Sequence, residues 1–543
     1  MLSEAKHLAR FSPETLRRFA AQGDAFRIPA LLAVVALALG AIIATLPLKW
    51  SAAIIIGGSV LALALFEPLV GLAIMLLLGP TEPLLAAAGL MPFSIGQATF
   101  LLFAGAWFLR GLARRKIRWP QLPITVPFAL YLFAAALSVS VSHPASPKDG
   151  ATELLKWIEM YLIAGIVVDA ARRKRLGWVI AILFLVGVAQ AAVGFWQFQF
   201  RGHGPEAFKI LGDHYRAYGT LEQPNPFGGF MGIVWPIAVM VAVEAGVSIV
   251  RRRWGTQINA EETLMNADLS DENANQRNLR SSAFNLRNLR TTFVLASTTA
   301  GATLAALFIS FSRGAWLGAA AAGLAMLVFW PRKRWLGLTL AGGGLAALFA
   351  LYNFGLLPSF IASRFADVGD FVQVYDVRGI HINDANFSIV ERLAHWQAAV
   401  NMANANPLFG VGFGNYEAAY DQYRLVKWQY ALGHAHMIYL NVLAETGAVG
   451  LAAYLFLWGT IIWFTIRVIA RKDPSGFGNP KGPNFDRAVA IGLLGCWVHL
   501  STHQLLDNLY VGNIPLYLGA LFGVLCTLCV ASPTQTPNSD SQL

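Results

Sequence analysis

Residues 226–250 read PFGGFMGIVWPIAVMVAVEAGVSIV, a stretch whose single charged side chain is that of Glu244. About 20 consecutive apolar residues suffice to cross the hydrocarbon core of a bilayer as an α-helix. Comparable runs recur along most of the chain, and they are continuous, without the alternation of polar and apolar residues that is typical of β-barrel strands. Because backbone polar groups in lipid must be satisfied internally, these runs predict an all-α polytopic membrane protein.

The composition and the placement of charge agree with this class. Hydrophobic residues make up 56% of the chain and charged residues 13%, where a soluble domain has about one quarter charged. The formal net charge of +11 predicts no nucleic-acid partner, because Lys and Arg cluster in short links between apolar runs, as expected of cytoplasmic links. The N-terminus is predicted inside, with basic links at 110–118, 172–175, 251–290, 332–334 and 471–487 and external links at 142–152, 201–225, 352–437 and 502–514.

The apolar runs predict about 12–14 transmembrane helices and one large external (periplasmic) helical loop domain. The insert at 251–291 is rich in Asn and Arg with no sustained apolar period, so we expect it to be partly disordered. The predicted organisation is a cytoplasmic N-terminal segment (1–28), transmembrane helices (29–250) with an external loop (200–225), a cytoplasmic low-complexity insert (251–291), transmembrane helices (292–352), an external loop domain (353–437), C-terminal transmembrane helices (438–531) and a disordered tail (532–543).

The most informative local motif is GHAHMIYLNVLAETGAVGL at 433–451. It places His436 where the external loop domain enters a membrane helix. Histidine titrates near neutral pH, which suits proton transfer to or from a hydroxyl. A structural histidine that bonds a nearby carbonyl is the alternative, and the residue alone leaves both open.

Two arginines lie at predicted external boundaries. Arg313 stands in FSRGAW at 311–316, between two apolar runs with almost no link, and Arg216 stands in YRAYGTLEQPNP at 215–226. A guanidinium at such a place can bind phosphate through two parallel hydrogen bonds. For Arg313 the alternative is snorkelling to lipid headgroups, and for Arg216 it is an ordinary solvated loop.

A fourth segment combines Glu391-Arg392 with NPLFGVGFGNY at 406–416. Its glycines superficially resemble a dinucleotide-binding loop, but no strand precedes them. We interpret the segment as a turn that ends one helix and starts another. The sequence contains no P-loop, HExxH or GxSxG motif, so we expect no cofactor and no metal.

Taken in their order along the chain, these segments resemble the O-antigen ligase family. The family comprises bacterial membrane glycosyltransferases and includes O-antigen polymerase-like and protein O-oligosaccharyltransferase members. The resemblance rests on the loop at Arg216, the Ser-Arg-Gly at Arg313, the stretch at 406–412 and the motif at His436. It covers roughly residues 30–530 and excludes the insert.

The histidine motif matches the family in spacing and departs from it at one position. In the family the histidine is usually followed by Asn, Ser or Gln, then nine residues, then Gly-x-x-Gly. Here Met437 occupies the second position, and Gly447 and Gly450 follow at the expected spacing. A hydrogen bond from the side chain at 437 is therefore not expected.

The resemblance implies a metal-independent inverting glycosyltransferase. Such an enzyme transfers a glycan from an undecaprenyl-diphosphate-linked donor to an acceptor hydroxyl at the periplasmic face of the bacterial inner membrane. The implied partners are that donor, an acceptor that is lipid-linked, a glycan or a protein, and membrane lipids. The chemistry agrees, since a diphosphate leaving group needs cations and an acceptor hydroxyl needs a base.

The implied roles follow from the matched positions. His436 is the catalytic candidate, and Arg216 and Arg313 are the candidates for binding the diphosphate. Arg392 and His434 are further substrate-binding candidates, for which a structural role is equally compatible with the sequence.

Other functions remain open at this level. A polymerase of the same family differs from a ligase only in its acceptor. A transporter of lipid-linked glycans would place ionisable residues at the bilayer midplane, whereas this chain has few, chiefly Glu159 and Glu244. A non-catalytic membrane scaffold is the third alternative.

Overall fold

The computed structural model of the chain describes residues 47–87, 94–265, 272–356, 376–383, 386–471 and 485–530, with positions 40, 45, 358 and 362. These residues are almost entirely helical, which confirms the predicted all-α class. Three 3₁₀ helices (Gly79–Thr81, Glu206–Phe208 and Val377–Gly379) and one antiparallel pair of strands, β1 (Lys209–Ile210) with β2 (His214–Tyr215), complete the elements. The α-helices are α1 (Leu48–Phe66), α2 (Pro68–Leu78), α3 (Glu82–Ala87), α4 (Ile95–Ala113), α5 (Thr125–Val141), α6 (Pro147–Gln199), α7 (Pro224–Gly232), α8 (Trp235–Met265), α9 (Glu272–Ile309), α10 (Arg313–Phe329), α11 (Arg334–Asn353), α12 (Phe387–Ala405), α13 (Tyr416–Tyr423), α14 (Ile438–Ala470), α15 (Phe485–His503) and α16 (Ile514–Cys529).

Seven helices within the described ranges are long and apolar enough to cross a membrane, and four shorter apolar helices accompany them. The chain is therefore a multi-pass membrane protein. The first predicted span, at 29–48, lies almost wholly outside the described residues, so the count of 12–14 stays a prediction. The seven are Pro68–Ala86, Ile95–Ala113, Arg175–Gln199, Pro224–Arg251, Arg287–Ile309, Arg334–Asn353 and Ile438–Ala470.

Residues 1–67 and 68–543 form two separate compact units. The first contributes α1, an apolar helix of 19 residues. The second contains every other element named above and the whole candidate site. The predicted segments 1–28 and 532–543 lie outside the described residues.

Helix α6 is 53 residues long, and its contacts show that it folds back on itself. A Cβ added at Gly519 of α16 would lie 2.9 Å from the carbonyl oxygen of Met160. Two residues earlier in α16, the Tyr517 hydroxyl donates to the carbonyl of Leu183 at 3.2 Å. A straight helix would separate positions 160 and 183 by about 35 Å, too far for two neighbouring residues to reach both. The basic link 172–175 lies in this interval, as the two spans predicted here require.

Helix α14 is broken at Gly447, whose φ of 63° and ψ of −166° are accessible essentially to glycine alone. The break leaves backbone carbonyls of α14 without partners inside the helix, and the turn 407–412 donates hydrogen bonds to two of them. Val411 and Gly412 donate their N–H groups to the carbonyls of Ala444 and Glu445 at 2.9 and 3.0 Å. The turn thus ends α12 and leads to α13, as predicted, and it also docks on the break.

Residues 386–437, the longest described part of the predicted loop domain, pack over the start of α14. Its apolar residues form two clusters, one around Met402, Tyr416 and Tyr420 and one around Leu393 and Trp428. Residues 357, 359–361, 363–375 and 384–385 of the predicted domain lie outside the description. The clusters fix α12 and α13 above the membrane helices and hold the chain that leads into α14.

Much of the insert at 251–291 is helical, and its partial disorder stays a prediction. Helix α8 continues to Met265, and α9 begins at Glu272. Only 266–271 lie outside the described residues. Both helices extend apolar spans, and the Arg, Leu, Gln and Glu of the insert are good helix formers, so local propensity favours continuing the helix.

Candidate active site

Two neighbouring cavities lie where α7, α10, α12 and the link after α15 converge. The smaller cavity, of about 160 Å³, is lined by the guanidinium-bearing residues Arg216, Arg313 and Arg392. The larger cavity, of about 650 Å³, is lined by His434 and His436. Three residues line both cavities and so form the boundary between them, namely Asn225, Arg392 and Asp507.

Arg216 is held in place by its backbone and its side chain. Its N–H donates to the carbonyl of Phe208 at 2.8 Å, which fixes the loop beside β2. Its Nε donates to the carbonyl of Ser310 at 2.9 Å, and Nη2 donates to Oδ1 of Asn225 at 3.0 Å. The guanidinium therefore bridges the end of α9 and the start of α7.

Arg313 is the first residue of α10, and the local sequence explains the sharp turn before it. Phe311 has a φ of 49°, and the Ser312 hydroxyl caps the helix by accepting from the Ala315 N–H at 3.4 Å. The helix N-terminus carries a partial positive charge. The Arg313 side chain adds a full charge at the same point, so this corner favours an anion.

Arg392 lies in the second turn of α12 and faces both cavities. Its Nη1 donates to the carbonyl of Ser388 at 3.1 Å, whereas its buried Nε has no hydrogen-bond partner among the described residues. Burial lowers the pKa of Arg392. The Asp507 carboxylate raises this pKa, whereas the charge of Arg313 lowers it further. A second anion beside Arg392 would relieve this repulsion between cations.

Asp507 is the buried counter-charge of the site, with 5% of its surface exposed. Its Oδ1 lies 3.8 Å from Nε2 of His434 and 3.9 Å from Nδ1 of His436. Burial raises the pKa of Asp507, but interaction with His436 and the charges of His434 and His503 outweigh it and hold the pKa well below its usual range. Asp507 is therefore a carboxylate at neutral pH and can orient both imidazoles.

His436 is held in a strained backbone conformation with a φ of 53°. Its N–H donates to Nδ1 of His434 at 3.0 Å, and the two rings meet edge to face at 4.5 Å between centroids. Burial lowers the pKa of His434 to about 4, so that ring is neutral at pH 7. The buried Nε2 of His436 has no hydrogen-bond partner in the described ranges.

A third histidine lies behind His436. The ring of His395 in α12 is 5.3 Å from that of His436, stacks on Tyr420 at 4.9 Å and meets the Tyr416 hydroxyl through Nδ1 at 3.0 Å. Burial lowers the pKa of His395 to about 3. This neutral stack forms the wall that fixes one side of the His436 ring.

Burial raises the pKa of the nearby Glu391, and the charges of His436 and Arg392 partly offset this rise. Glu391 lines the larger cavity and is a carboxyl group close to the base candidate.

Among the residues that the structure describes, one group could hold a metal ion. The ligand atoms of His434, His436 and Asp507 lie within 4.8 Å of one another. Two imidazoles and one carboxylate are suitable ligands for a first-row divalent ion. The expectation of no metal therefore stays a prediction.

The comparisons with known proteins bear on this region. The sequence model of the family described as O-antigen ligase matches residues 298–455. This match supports assigning the chain to the O-antigen ligase family over the matched range. The matched range contains Arg313, Arg392, His434 and His436. None of the curated proteins is similar enough to the chain to count as a match.

The resemblance inferred from the sequence is thus confirmed over the matched range, and it supports an O-antigen ligase- or polymerase-like membrane enzyme. The structure brings all five predicted site residues to the two cavities, and their roles stay predictions. Arg216 lies outside the matched range and still joins the arginine cluster.

Sequence reasoning missed Asp507 and His395. Asp507 had a usable signal, because it is the only acidic residue in the predicted external link 502–514. His395 had none, since a buried histidine in an amphipathic helix is indistinguishable in sequence from an ordinary core residue. Its position opposite His436 depends on how α12 packs over α14.

Proposed function

We propose that the protein transfers a glycan from an undecaprenyl-diphosphate-linked donor to an acceptor hydroxyl, at the periplasmic face of the bacterial inner membrane. The observation that carries this proposal is the convergence of three guanidinium groups in one cavity that shares a wall, Arg392 and Asp507, with the histidine cavity. Such a reaction needs cations beside the anionic leaving group and a base beside the nucleophile. The arginine cavity offers the cations, and the histidine cavity offers the base.

The arginine cavity suits the diphosphate. As the glycosidic bond breaks, negative charge develops on the departing phosphate oxygen, and pre-positioned cations stabilise it. Arg216 is already oriented by Ser310 and Asn225, which keeps the reorganisation small. A bound diphosphate also offsets the mutual repulsion of Arg313 and Arg392.

His436 suits the role of general base. Nδ1 of His436 faces Asp507, and a carboxylate on that side favours a proton on Nδ1, which leaves the lone pair on Nε2, as in catalytic triads. The acceptor oxygen attacks the anomeric carbon and gives its proton to His436. The bond from that carbon to the phosphate oxygen breaks, and the diphosphate leaves with the electron pair.

The larger cavity suits a sugar. Its wall combines aromatic rings with polar and charged groups, including Trp157, Tyr510, Glu153 and Lys156. Aromatic faces pack against the apolar faces of sugar rings, and carboxylates accept bonds from hydroxyls. Its volume of about 650 Å³ exceeds that of the arginine cavity, in keeping with a glycan on one side and a diphosphate on the other.

The mechanism is a direct displacement, and two of its consequences are testable. The configuration at the anomeric carbon inverts, which NMR of the product measures. Retention of configuration, or a covalent glycosyl-enzyme trapped by mass spectrometry, would overturn the single-step mechanism. Transfer proceeds in excess chelator; loss of activity that Zn²⁺ or Mn²⁺ restores would instead assign His434, His436 and Asp507 to a metal.

The acceptor distinguishes a ligase from a polymerase. Purified protein is supplied with one polyprenyl-diphosphate glycan donor and, in parallel, a lipid-linked core sugar, a second lipid-linked glycan or a protein. The accepted hydroxyl names the subclass. Movement of donor across a vesicle bilayer without any transfer, unaffected by His436→Ala, would favour the transporter alternative.

A further inference from the structure

A second large cleft lies at the other end of the helix bundle. Its volume is about 770 Å³, and it is lined by residues 121–123, just before α5, and by the ends of α14 and α16. Arg467 is 29 residues beyond the start of α14 at Ile438, so it lies on the order of 40 Å along that helix from the candidate active site. Nothing in the proposed reaction uses this cleft.

Two guanidinium groups flank the cleft. Arg467 is exposed and lies over the ring of Trp463 at 4.2 Å. Arg471 donates from Nη1 and Nη2 to the carbonyls of Leu528 and Cys529 at 2.7 and 2.8 Å, which places its charge at the C-terminus of α16. Neither arginine has a carboxylate within ion-pair distance among the described residues. The cleft therefore presents two positive charges that the rest of the described chain does not neutralise.

Apart from Gln121, the remaining wall of the cleft is apolar. It is formed by Leu122, Pro123, Phe464, Ala470, Cys529 and Val530. Trp463 is 49% exposed beside it, as is usual for aromatic residues at a membrane–water interface. A free inorganic anion would satisfy the arginines and leave this apolar wall in water. An amphiphile satisfies both.

The link before α5 adds to the charge. It contains Arg114, Arg115, Lys116 and Arg118, all exposed, and continues into Leu122 on the cleft wall. Basic pockets between membrane helices bind the headgroups of anionic lipids. Four further cations at the same interface raise the local concentration of such lipids.

We propose that the cleft of Arg467 and Arg471 binds an anionic membrane phospholipid, with the headgroup phosphate between the two guanidiniums and the upper acyl chain against the apolar wall. The site is distinct from the candidate active site, and it requires no assumption about the glycan reaction. The bound lipid joins the ends of α5, α14 and α16 at the membrane surface.

Native mass spectrometry of the full chain in detergent tests the proposal. The probes are phosphatidylglycerol and phosphatidylcholine with identical acyl chains. Each arginine near an anionic lipid contributes on the order of 1 kcal/mol, so R467Q/R471Q is expected to weaken phosphatidylglycerol binding roughly 30-fold. The matched control R332Q/R334Q removes two exposed charges outside the cleft and is expected to retain wild-type binding.

A charge-neutral variant guards against misfolding. Ala470→Trp fills the cleft from an exposed position and is expected to reduce lipid binding while the thermal transition stays that of wild type.

Equal affinity for the two lipids, or equal losses in R467Q/R471Q and R332Q/R334Q, would overturn the proposal. So would displacement of the lipid by millimolar inorganic phosphate, which indicates a plain anion site. An increase in binding on removal of 531–543 would overturn it too, by showing that the chain's own tail occupies the cleft.

Discussion

The proposed chemistry depends on a single carboxylate, Asp507, which faces two histidines from 3.8 and 3.9 Å. Its burial would be unfavourable without these partners. Because its Oδ1 lies 3.9 Å from Nδ1 of His436, its charge favours a proton on that ring nitrogen over Nε2. We regard Asp507 as the positioning residue of the site.

Asp507→Asn is therefore expected to lower the rate of glycan transfer by about 10²–10⁴ with little change in donor KM, because an amide can favour the wrong tautomer of His436. The measurement is steady-state transfer by purified protein. Asp421→Asn is the matched control, since Asp421 is exposed and, in the described part of the chain, its ion pair is with Arg424. Full activity in Asp507→Asn would remove the carboxylate from the mechanism.

Buried neutral histidines also make stability depend on pH. His434 and His395 have pKa values of about 4 and about 3, below the value of about 6.5 in an unfolded chain. Between pH 6.5 and these values the unfolded state binds more protons, so stability falls as pH falls. Asp507 has a lowered pKa and loses its contribution only below about pH 4, outside this window.

From pH 7 to pH 5 the two histidines together are expected to destabilise the fold by about 4 kcal/mol. Thermal unfolding in detergent at both pH values measures this. His395→Gln is expected to remove about 2 kcal/mol of this destabilisation, whereas His381→Gln, which removes an exposed imidazole, retains it. An identical pH dependence in wild type and His395→Gln would contradict the assignment of a buried neutral His395.

At the level of elements, the break in α14 couples the membrane helix to the loop domain. A Cβ at Gly447 would lie 2.2 Å from the carbonyl carbon of Leu408, and the backbone there is accessible essentially to glycine alone. The Gly-x-x-Gly of the histidine motif thus sets the geometry that lets the turn 407–412 dock. The Gly-x-x-Gly thereby influences the position of His436 through the start of α14.

Gly447→Ala is expected to lower stability by more than the roughly 1–3 kcal/mol of backbone strain alone, because the clash adds to it. Gly459→Ala is the control: it lies in the same helix, and nothing lies within 4 Å of its added Cβ, so it is expected to be neutral or stabilising by about 0.5–1 kcal/mol. Thermal unfolding compares the two. Equal transitions would show that the break is not required.

Sequence patterns predicted most of these elements, and they singled out five residues that line the two cavities, whose roles stay predictions. Hydrophobic run length predicts spans well, because lipid forces every span to be a helix. The folding back of α6 near 172–175 could also be predicted, from the basic link. Three features could not be predicted in this way: the break at Gly447, the stack of His395 on Tyr420 and the helical ends of the insert. The spacing of apolar residues does not report the packing or the helix propensity on which these features depend.

At the level of the whole molecule, contacts group the links as the charge pattern predicts. The N–H of Ser146, from one predicted external link, donates to Asn415 of another at 2.7 Å. At the far end, Arg487 donates to the carbonyl of Phe329 at 2.7 Å, beside the basic link 332–334. The proposed orientation therefore assigns one end of the bundle to the periplasm and the other to the cytoplasm.

Cysteine labelling tests that orientation. With the three native cysteines replaced, Val426→Cys, at a position 86% exposed, is expected to react with a membrane-impermeant maleimide in intact spheroplasts. Lys333→Cys, in the basic link, is expected to react only after the membrane is permeabilised. The reverse pattern would invert the topology and place the candidate site in the cytoplasm.

The central claim is that the two adjoining cavities carry out glycan transfer from a diphosphate-linked donor. It is tested most directly by in vitro transfer with purified protein, chelator, a polyprenyl-diphosphate glycan donor and the acceptor panel. Wild type is compared with His436→Ala and Arg313→Ala, each checked for a wild-type thermal transition. We predict chelator-resistant transfer by wild type and loss of transfer in both folded variants; undiminished transfer in both variants would contradict the assigned active site.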